Sequence, residues 1–429
     1  MKVLKFGGSS VGTAQSIANV KQIVEATPHP AVIVVSALGG VTDQLLTLSQ
    51  KAAAGDETYR EITEALAERH HNMVADAIVP SRQAQAHAQI EALMNELRSI
   101  LHGVFLIQDL TVKTADAIVS YGERLSSVIL AALLEKAQHV DARQFIKTTR
   151  SADKHVVDFE TTNHLVQKSL RHIDGITVLG GFIASDAQTG VTTHLGRGGS
   201  DYTAAIIAAA LEAEALEIWT DVDGFMTADP RIIPTAYTID ELSYDEAMEL
   251  CNFGAKVVYP PTIYPVCVKN IPIFIKNTFN PSGRGSVIRK DIAPTTRPIR
   301  GISSVNCMSL VTVSGLSMVG VIGVNRRIFT TLAGGGISVF MVAQTSSETS
   351  TSMCVTPEDG ARACQLLDAE FAKEIEDGAM FPAQLQEGLA IPSREPSVSG
   401  DFWGSQEGCQ GPFRPSGRNR MSVLSRTEC

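Results

Sequence analysis

A chain of 429 residues with 44% hydrophobic side chains is long enough for two or three cored domains, which excludes a small disulfide-stapled scaffold and a disordered protein. Its formal net charge of -10 leaves no basic excess, so neither nucleic acid nor an anionic membrane surface is an expected partner, and an anionic ligand must meet locally placed cations. Seven cysteines without a CxxC pair signal neither a zinc site nor a disulfide framework, and with no membrane-length apolar run and Met1 leading straight into a strand the reading is a cytoplasmic protein.

From residue 1 to about 300, strand-like apolar runs alternate with amphipathic stretches, the α/β pattern of a mostly parallel open sheet between helical layers. MKVLKF is the first strand, followed by AVIVVSA at 31–37, ITVLGGFIA at 176–184, ALEIWTD at 215–221 and IPIFIKN at 271–277. Residues 57–138 are helical in pattern, with Ile118, Leu125, Ile129 and Leu133 at helical spacing, and form a layer or lid. A Pro-, Gly-, Arg- and Thr-rich stretch near 283–302 reads as a linker that closes a first domain at 1–295. Beyond it, MSLVTVSG, NRRIFTTLAGGG, ISVFMVAQ, TSMCVT and PEDGARACQLLDAEFAKEI read as strand, helix, strand, strand and helix. That is most of a ferredoxin-like module, at 303–385. From about residue 390 all periodicity stops, and a tail rich in Ser, Gly, Pro and Arg runs to 429 with the composition of disorder.

Two glycine clusters sit where strands give way to helices. In KFGGSS, Lys5 would point at an anion, Gly7 and Gly8 would let the backbone approach it, and Ser9 and Ser10 would donate hydroxyls or cap the helix. A tight strand-to-helix turn with a solvated lysine is the alternative. Neither GxxxxGK[ST] nor GxGxxG occurs, so a phosphate site here is of another type. In HLGRGGSDYTAA, Arg197 could clamp a carboxylate or phosphate, Gly198, Gly199 and Ser200 could form an amide nest, and Asp201 could orient a cation; equally, Ser200 or Asp201 could simply cap the helix. Together the clusters point to one anion cleft at the carboxyl ends of parallel strands. Ser36 and Thr42 frame a third glycine turn, which turn chemistry alone would explain. Glu123 lies two residues before Leu125, off the apolar stripe, where a glutamate is expected to be solvated unless it holds a substrate ammonium. WTDVDGFMTADPR reads as a turn after a strand, and its glycine is misplaced for a calcium loop. Lys256 is either an exposed lysine or a second phosphate ligand.

KFGGSS, SYGERLS, LGRGGSDYTAA, IWTDVDGFMTADPR and FGAKVVYPP, in this order, resemble the aspartate kinases of the amino acid kinase superfamily over residues 1 to about 390. The module around Gln344 resembles that of the kinase half of fused aspartokinase-homoserine dehydrogenases. The resemblance implies an amino acid kinase fold followed by an ACT regulatory module, ATP and Mg²⁺ as cofactors, and phosphorylation of the L-aspartate side chain to 4-phosphoaspartate, the first step toward lysine, threonine and methionine. By similarity, Lys5 and Asp201 are catalytic, and Ser36, Thr42, Glu123, Arg197, Gly198, Gly199 and Ser200 hold aspartate. Lys5, Phe6, Gly7, Gly8, Thr220, Asp221, Met226, Arg231, Lys256 and Val257 border the nucleotide, Met226 standing where some members carry tyrosine. Residues 305–378 resemble the first of two ACT modules, which imply a homo-oligomer and a feedback amino acid, lysine or threonine, with Asn325 and Gln344 as candidate contacts. EGLAI at 387–391 looks like the opening strand of the second module, and the abrupt break at 390–429 predicts a frameshifted or truncated terminus that compromises pairing and feedback. Two other readings stay open: another amino acid kinase, acting on glutamate, acetylglutamate or a nucleoside monophosphate, and a non-catalytic amino acid sensor.

Overall fold

The structure, a computed structural model, describes residues 1–28, 30–151, 154–255, 257–292, 299–396 and 425–426. Two compact units divide the chain: Met1–Cys251 with Lys256–Pro294, and Asn252–Ala255 with Thr295–Cys429.

The first unit begins β1 (Lys2–Phe6), α1 (Ala14–Glu25), β2 (Ala31–Val35) and α2 (Val41–Ala53). Helices α3 (Tyr59–Ala77), α4 (Pro80–Ile107), α5 (Val112–Val119) and α6 (Tyr121–Leu133) fill the span with helical periodicity. Then come β3 (Gln138–His139), β4 (Lys147–Ser151), β5 (Lys154–Val157), α7 (Phe159–Leu170), β6 (Ile176–Gly180), β7 (Ile183–Asp186), β8 (Thr192–His194), α8 (Gly199–Leu211) and β9 (Ala215–Thr220). The unit closes with β10 (Glu241–Leu242), α9 (Tyr244–Asn252), α10 (Ile263–Val268), β11 (Ile273–Asn277) and β12 (Ser286–Ile288). Its main sheet runs β10-β12-β11-β9-β1-β2-β6-β3, and every neighbouring pair is parallel except β11 with β12. All five residues of β2, AVIVV, are buried, as a central parallel strand covered on both faces requires. Each of its Val and Ile side chains is worth roughly 1.5–3 kcal/mol of burial, so this strand anchors the register of its neighbours.

That register places the ends of the strands at one edge. Phe6 pairs with Val35 and Trp219, and Val35 pairs with Gly180, so the turns after β1, β2, β6 and β9 leave the sheet side by side. ITVLGGFIA is not one strand. It breaks after Gly180, because Gly181 donates to the Val35 carbonyl at 2.9 Å and Phe182 takes a left-handed φ of 63°, and Ile183–Asp186 joins a separate sheet ordered β5-β4-β7-β8. The linker near 283–302 is likewise corrected, since Ser286–Ile288 is an edge-region strand of the main sheet.

The second unit contains β13 (Ile299–Ser314), α11 (Val324–Gly334), β14 (Met341–Gln344), β15 (Ser350–Val355), α12 (Pro357–Glu370), α13 (Ala372–Glu376), β16 (Phe381–Pro396) and β17 (Ser425–Arg426). The order β14-β15-β13-β16, all antiparallel, completes a ferredoxin-like sheet, with β17 paired outside β16. Val311, Val313, Ile328, Leu332, Met353, Val355, Ala363 and Leu367 form its core, so the sheet is closed on one face by α11 and α12. EGLAI therefore serves as part of the fourth strand of this sheet, opposite β13, and residues 390–396, read from sequence as irregular, finish that strand. The remainder of the predicted tail, 397–424 and 427–429, lies outside the described residues. Cys307 is disulfide-bonded, against the expectation of no disulfide, while Cys251, Cys267, Cys354 and Cys364 are free.

Close approach of α6 to the sheet depends on Gly180, where a Cβ would lie 2.9 Å from both the Glu123 Cβ and the Glu123 carbonyl oxygen. Gly180→Ala is expected to cost about 1–3 kcal/mol through overpacking, read as a lower urea midpoint at unchanged slope. A wild-type midpoint would contradict this packing.

Candidate active site

At the carboxyl edge of the main sheet lies a cleft of about 520 Å³ lined by both glycine clusters. The turn after β1 is stitched to the turn after β2: Gly39 N–H donates to the Gly8 carbonyl at 3.1 Å, and Ser36 N–H to the Phe6 carbonyl at 3.1 Å. Gly8 is required there, because a Cβ would stand 2.9 Å from the Ala37 carbonyl oxygen. Helices α2 and α8 start at this rim behind Gly40 and Gly198, both in the left-handed region, so two positive helix ends open on the cleft.

Lys5 leaves the end of β1 and meets Asp201 in the first turn of α8, Nζ to Oδ1 2.6 Å, with both side chains nearly buried. The contact is an ion pair rather than an aligned hydrogen bond. Across the cleft, Glu123 stands in the first turn of α6 and is 4% exposed. The solvated glutamate expected from spacing is thus corrected: α6 buries nearly every residue from Tyr121 to Leu130, so the side opposite the apolar stripe faces the sheet rather than water. Its Oε1 accepts the Ala37 N–H at 3.2 Å, while Oε2 has no hydrogen-bond partner among the described residues. Burial pushes the carboxyl up to about 8, against the Ala37 N–H and the charge of Lys5, which pull it down.

Ser36, Thr42, Gly198, Gly199 and Ser200 line the same cleft, and Arg197 is exposed at its margin. Ser200 and Asp201 lie inside α8 and do not cap it; the cap is Gly198. Nor do Ser9 and Ser10 cap α1, which is capped by Thr13 in a reciprocal box with Ser16. Ser10 is instead buried, its hydroxyl 2.7 Å from that of Thr278.

The nucleotide-side residues are more scattered. Phe6 is wholly buried and stacked on Trp219 with centroids 6.2 Å apart, so only its backbone can face a ligand. Gly7 donates to the Trp219 carbonyl at 3.1 Å, which sets Thr220 and Asp221 beside the glycine turn. Met226 bridges to Thr238, and Arg231 is engaged by Asp229 through Nη2 to Oδ2 at 2.7 Å. None of Thr220, Asp221, Met226, Arg231 and Val257 lines the cleft, and Lys256 lies outside the described residues. In the second unit, Asn325 Nδ2 donates to Gln344 Oε1 at 3.1 Å and Asn325 Oδ1 accepts from Thr351 at 3.2 Å. Sequence reading passed over Phe182, His194 and Asp116; only the position of His194 beside the glycine loop was a signal.

Residues 1–277 match the amino acid kinase family. The chain belongs to that family. An ACT domain matches residues 311–371. Over 407 residues the chain is 34% identical to the bifunctional aspartokinase/homoserine dehydrogenase of Haemophilus influenzae, covering 91% of this chain and 49% of that protein. It is similar to E. coli aspartokinase III in complex with aspartate and ADP, with a TM-score of 0.77 at 28% identity over 92% of this chain and 87% of that one. The E. coli enzyme in complex with lysine and aspartate gives a TM-score of 0.75 at 26% identity over 99% and 96%. The chain spans about half the length of the curated relatives it matches. Among the described residues no helix is long and apolar enough to cross a membrane.

The raised Glu123 carboxyl ties stability to pH. The unfolded chain releases this proton near 4.5 and the folded chain near 8, so between those values the folded state holds the extra proton and loses stability as pH rises. The slope from this one group is at most about 1.4 kcal/mol per pH unit. Glu123→Gln is expected to gain stability relative to wild type steadily from pH 5 to 8.5 in urea denaturation; a constant difference across that range would contradict the buried carboxyl.

Proposed function

We propose that the protein is an aspartate kinase, which transfers the γ-phosphoryl group of ATP to the side-chain carboxylate of L-aspartate and yields 4-phospho-L-aspartate and ADP, the first step toward lysine, threonine and methionine. The observation that carries the reading is the charge layout of one cleft: Lys5 held by Asp201, a buried Glu123 oxygen without a partner among the described residues, and the Arg197 guanidinium at the margin. These complement the reacting end, the ammonium and the α-carboxylate of an acidic amino acid. Likeness to an aspartokinase crystallised with aspartate and ADP supports the same assignment.

In this reading Arg197 takes the α-carboxylate, with the Gly198, Gly199 and Ser200 amides, and Ser36 and Thr42 close the substrate side. Glu123 receives the ammonium on Oε2. A cation there repays the burial of the carboxylate, so binding drives the Glu123 proton into solvent. The β-carboxylate is already ionised at neutral pH and needs no general base. One of its oxygens bonds to the γ-phosphorus as the bond from that phosphorus to the bridging oxygen breaks, and ADP leaves. Lys5, oriented by Asp201, meets the negative charge spreading over the transferred group, and the open amides of Gly7 and Gly8 border the phosphates with Phe6 as backbone support. Thr220, Asp221, Met226, Arg231, Lys256 and Val257 are assigned to the nucleotide side.

Among the described residues no three His, Cys, Asp or Glu side chains converge on a metal site. Mg²⁺ would be carried on the nucleotide phosphates, with Asp201, which lines the cleft with Asp43 and Glu123, assigned to share it. Mg²⁺ would supply neutralisation of the phosphate oxygens. We assign the second unit to a feedback amino acid, lysine or threonine, at Asn325 and Gln344, and to homo-oligomer formation. Support comes from the hydrogen bond that joins those two side chains and from an aspartokinase crystallised with lysine. The cytoplasm is the assigned compartment.

A coupled ADP-release assay across aspartate, glutamate, acetylglutamate and UMP tests the substrate. Aspartate-dependent release is expected, and Lys5→Ala should lower kcat by about 10²–10³-fold. Release with another acceptor alone, or near-normal turnover of the variant, would overturn the assignment.

A further inference from the structure

The loop that carries Arg197 bends at two glycines, Gly196 and Gly198, both with positive φ, so its backbone has little intrinsic preference for one course. One side chain pins it from within the fold. His194, the last residue of β8, accepts the Gly196 N–H on Nδ1 at 3.0 Å. An Nδ1 that accepts carries no proton, which leaves the ring hydrogen on Nε2. That nitrogen lies 3.1 Å from Oδ1 of Asp116, a carboxylate 6% exposed at the middle of α5. The imidazole also stacks on Phe182, centroids 4.7 Å apart at 12°. Phe182 is itself fixed, its N–H donating to the Thr203 hydroxyl of α8 at 3.0 Å and its carbonyl accepting the Leu195 N–H at 2.9 Å. Its φ of 63° is a conformation a bulky side chain adopts only when its surroundings hold it there.

We propose that His194 is a positioning residue for substrate recognition. Through the Gly196 amide it sets the course of the loop that presents Arg197 to the cleft, and Asp116 and Phe182 set the orientation of the imidazole. His194 lines the same cleft as Arg197, so its grip acts on the carboxylate-binding side and leaves the Lys5–Asp201 pair untouched. This inference rests on the proposed aspartate kinase activity.

The test separates the two nitrogens. The amide oxygen of Asn occupies the place of Nδ1, whereas the amide of Gln reaches toward the place of Nε2. His194→Ala is expected to raise the KM for aspartate about tenfold while kcat stays within about threefold and the KM for ATP is unchanged, as loss of uniform binding to one substrate requires. His194→Asn should restore the aspartate KM to within about threefold of wild type, and His194→Gln should not. Thermal melts of all three variants are recorded alongside. An unchanged aspartate KM in the Ala variant, or parallel losses in all three that follow their melting temperatures, would overturn the proposal. A wild-type protein without aspartate-dependent ADP release would instead overturn the functional reading on which it rests.

Discussion

The ion pair between Lys5 and Asp201 is the constraint on which the cleft is organised. Its members come from the first strand and from a helix that starts about two hundred residues later, and each side chain is close to nine-tenths buried. A buried pair gains little over an apolar one, but removing either partner leaves an uncompensated charge at a cost of about 3–5 kcal/mol. Neither glycine loop can therefore drift from the other without a large penalty. Secondary ties act in the same direction. Gly7 is held on the Trp219 carbonyl, and the Trp219 indole donates to Glu217, whose other oxygen takes the Lys2 ammonium at 2.9 Å. Ser10 and Thr278, both fully buried, share a hydrogen bond beneath the turn. The ends of β1, β9 and β11 thus form one platform under the reacting end of the cleft.

Local rules are broken where this platform meets the substrate side. Among the described residues a fully buried carboxyl keeps one oxygen without a partner, and a phenylalanine adopts a left-handed backbone. Each costs stability in the unliganded protein, and both line a single 520 Å³ space. Concentrated penalties of this kind are the signature of a site selected for binding rather than for folding. Glu123 shows how the two demands interact: the same burial that pushes its pKa up to about 8 also makes an incoming ammonium far more valuable than it would be at the surface.

Strong local periodicity made most of the scaffold legible. The run AVIVV read as a buried strand and is one, and residues 57–138 are mostly helical, as their spacing implied, divided into α3 to α6. Errors arose where a residue's partner lay far away in the chain. A periodicity argument for Glu123 assumes one buried helix face, yet α6 packs on both sides because Gly180 lets it close on the sheet. ITVLGGFIA looked continuous because Gly181 and Phe182 change direction through dihedrals that apolar spacing does not report. Ser286–Ile288 and the end of β16 were hidden by flanking Gly, Pro and Ser. In the cleft, the lysine, arginine and glycine positions were legible from motifs, whereas His194 and Asp116 meet only through the packing of β8 on α5, for which the sequence offers no spacing rule.

The most direct test of the central claim is a double-mutant cycle on kcat between Lys5→Ala and Asp201→Ala, with aspartate and MgATP saturating. If the pair works as one unit that joins the two loops, the double variant should be no more than about tenfold slower than the slower single variant. Losses that multiply, as expected of two independent sites, would contradict it.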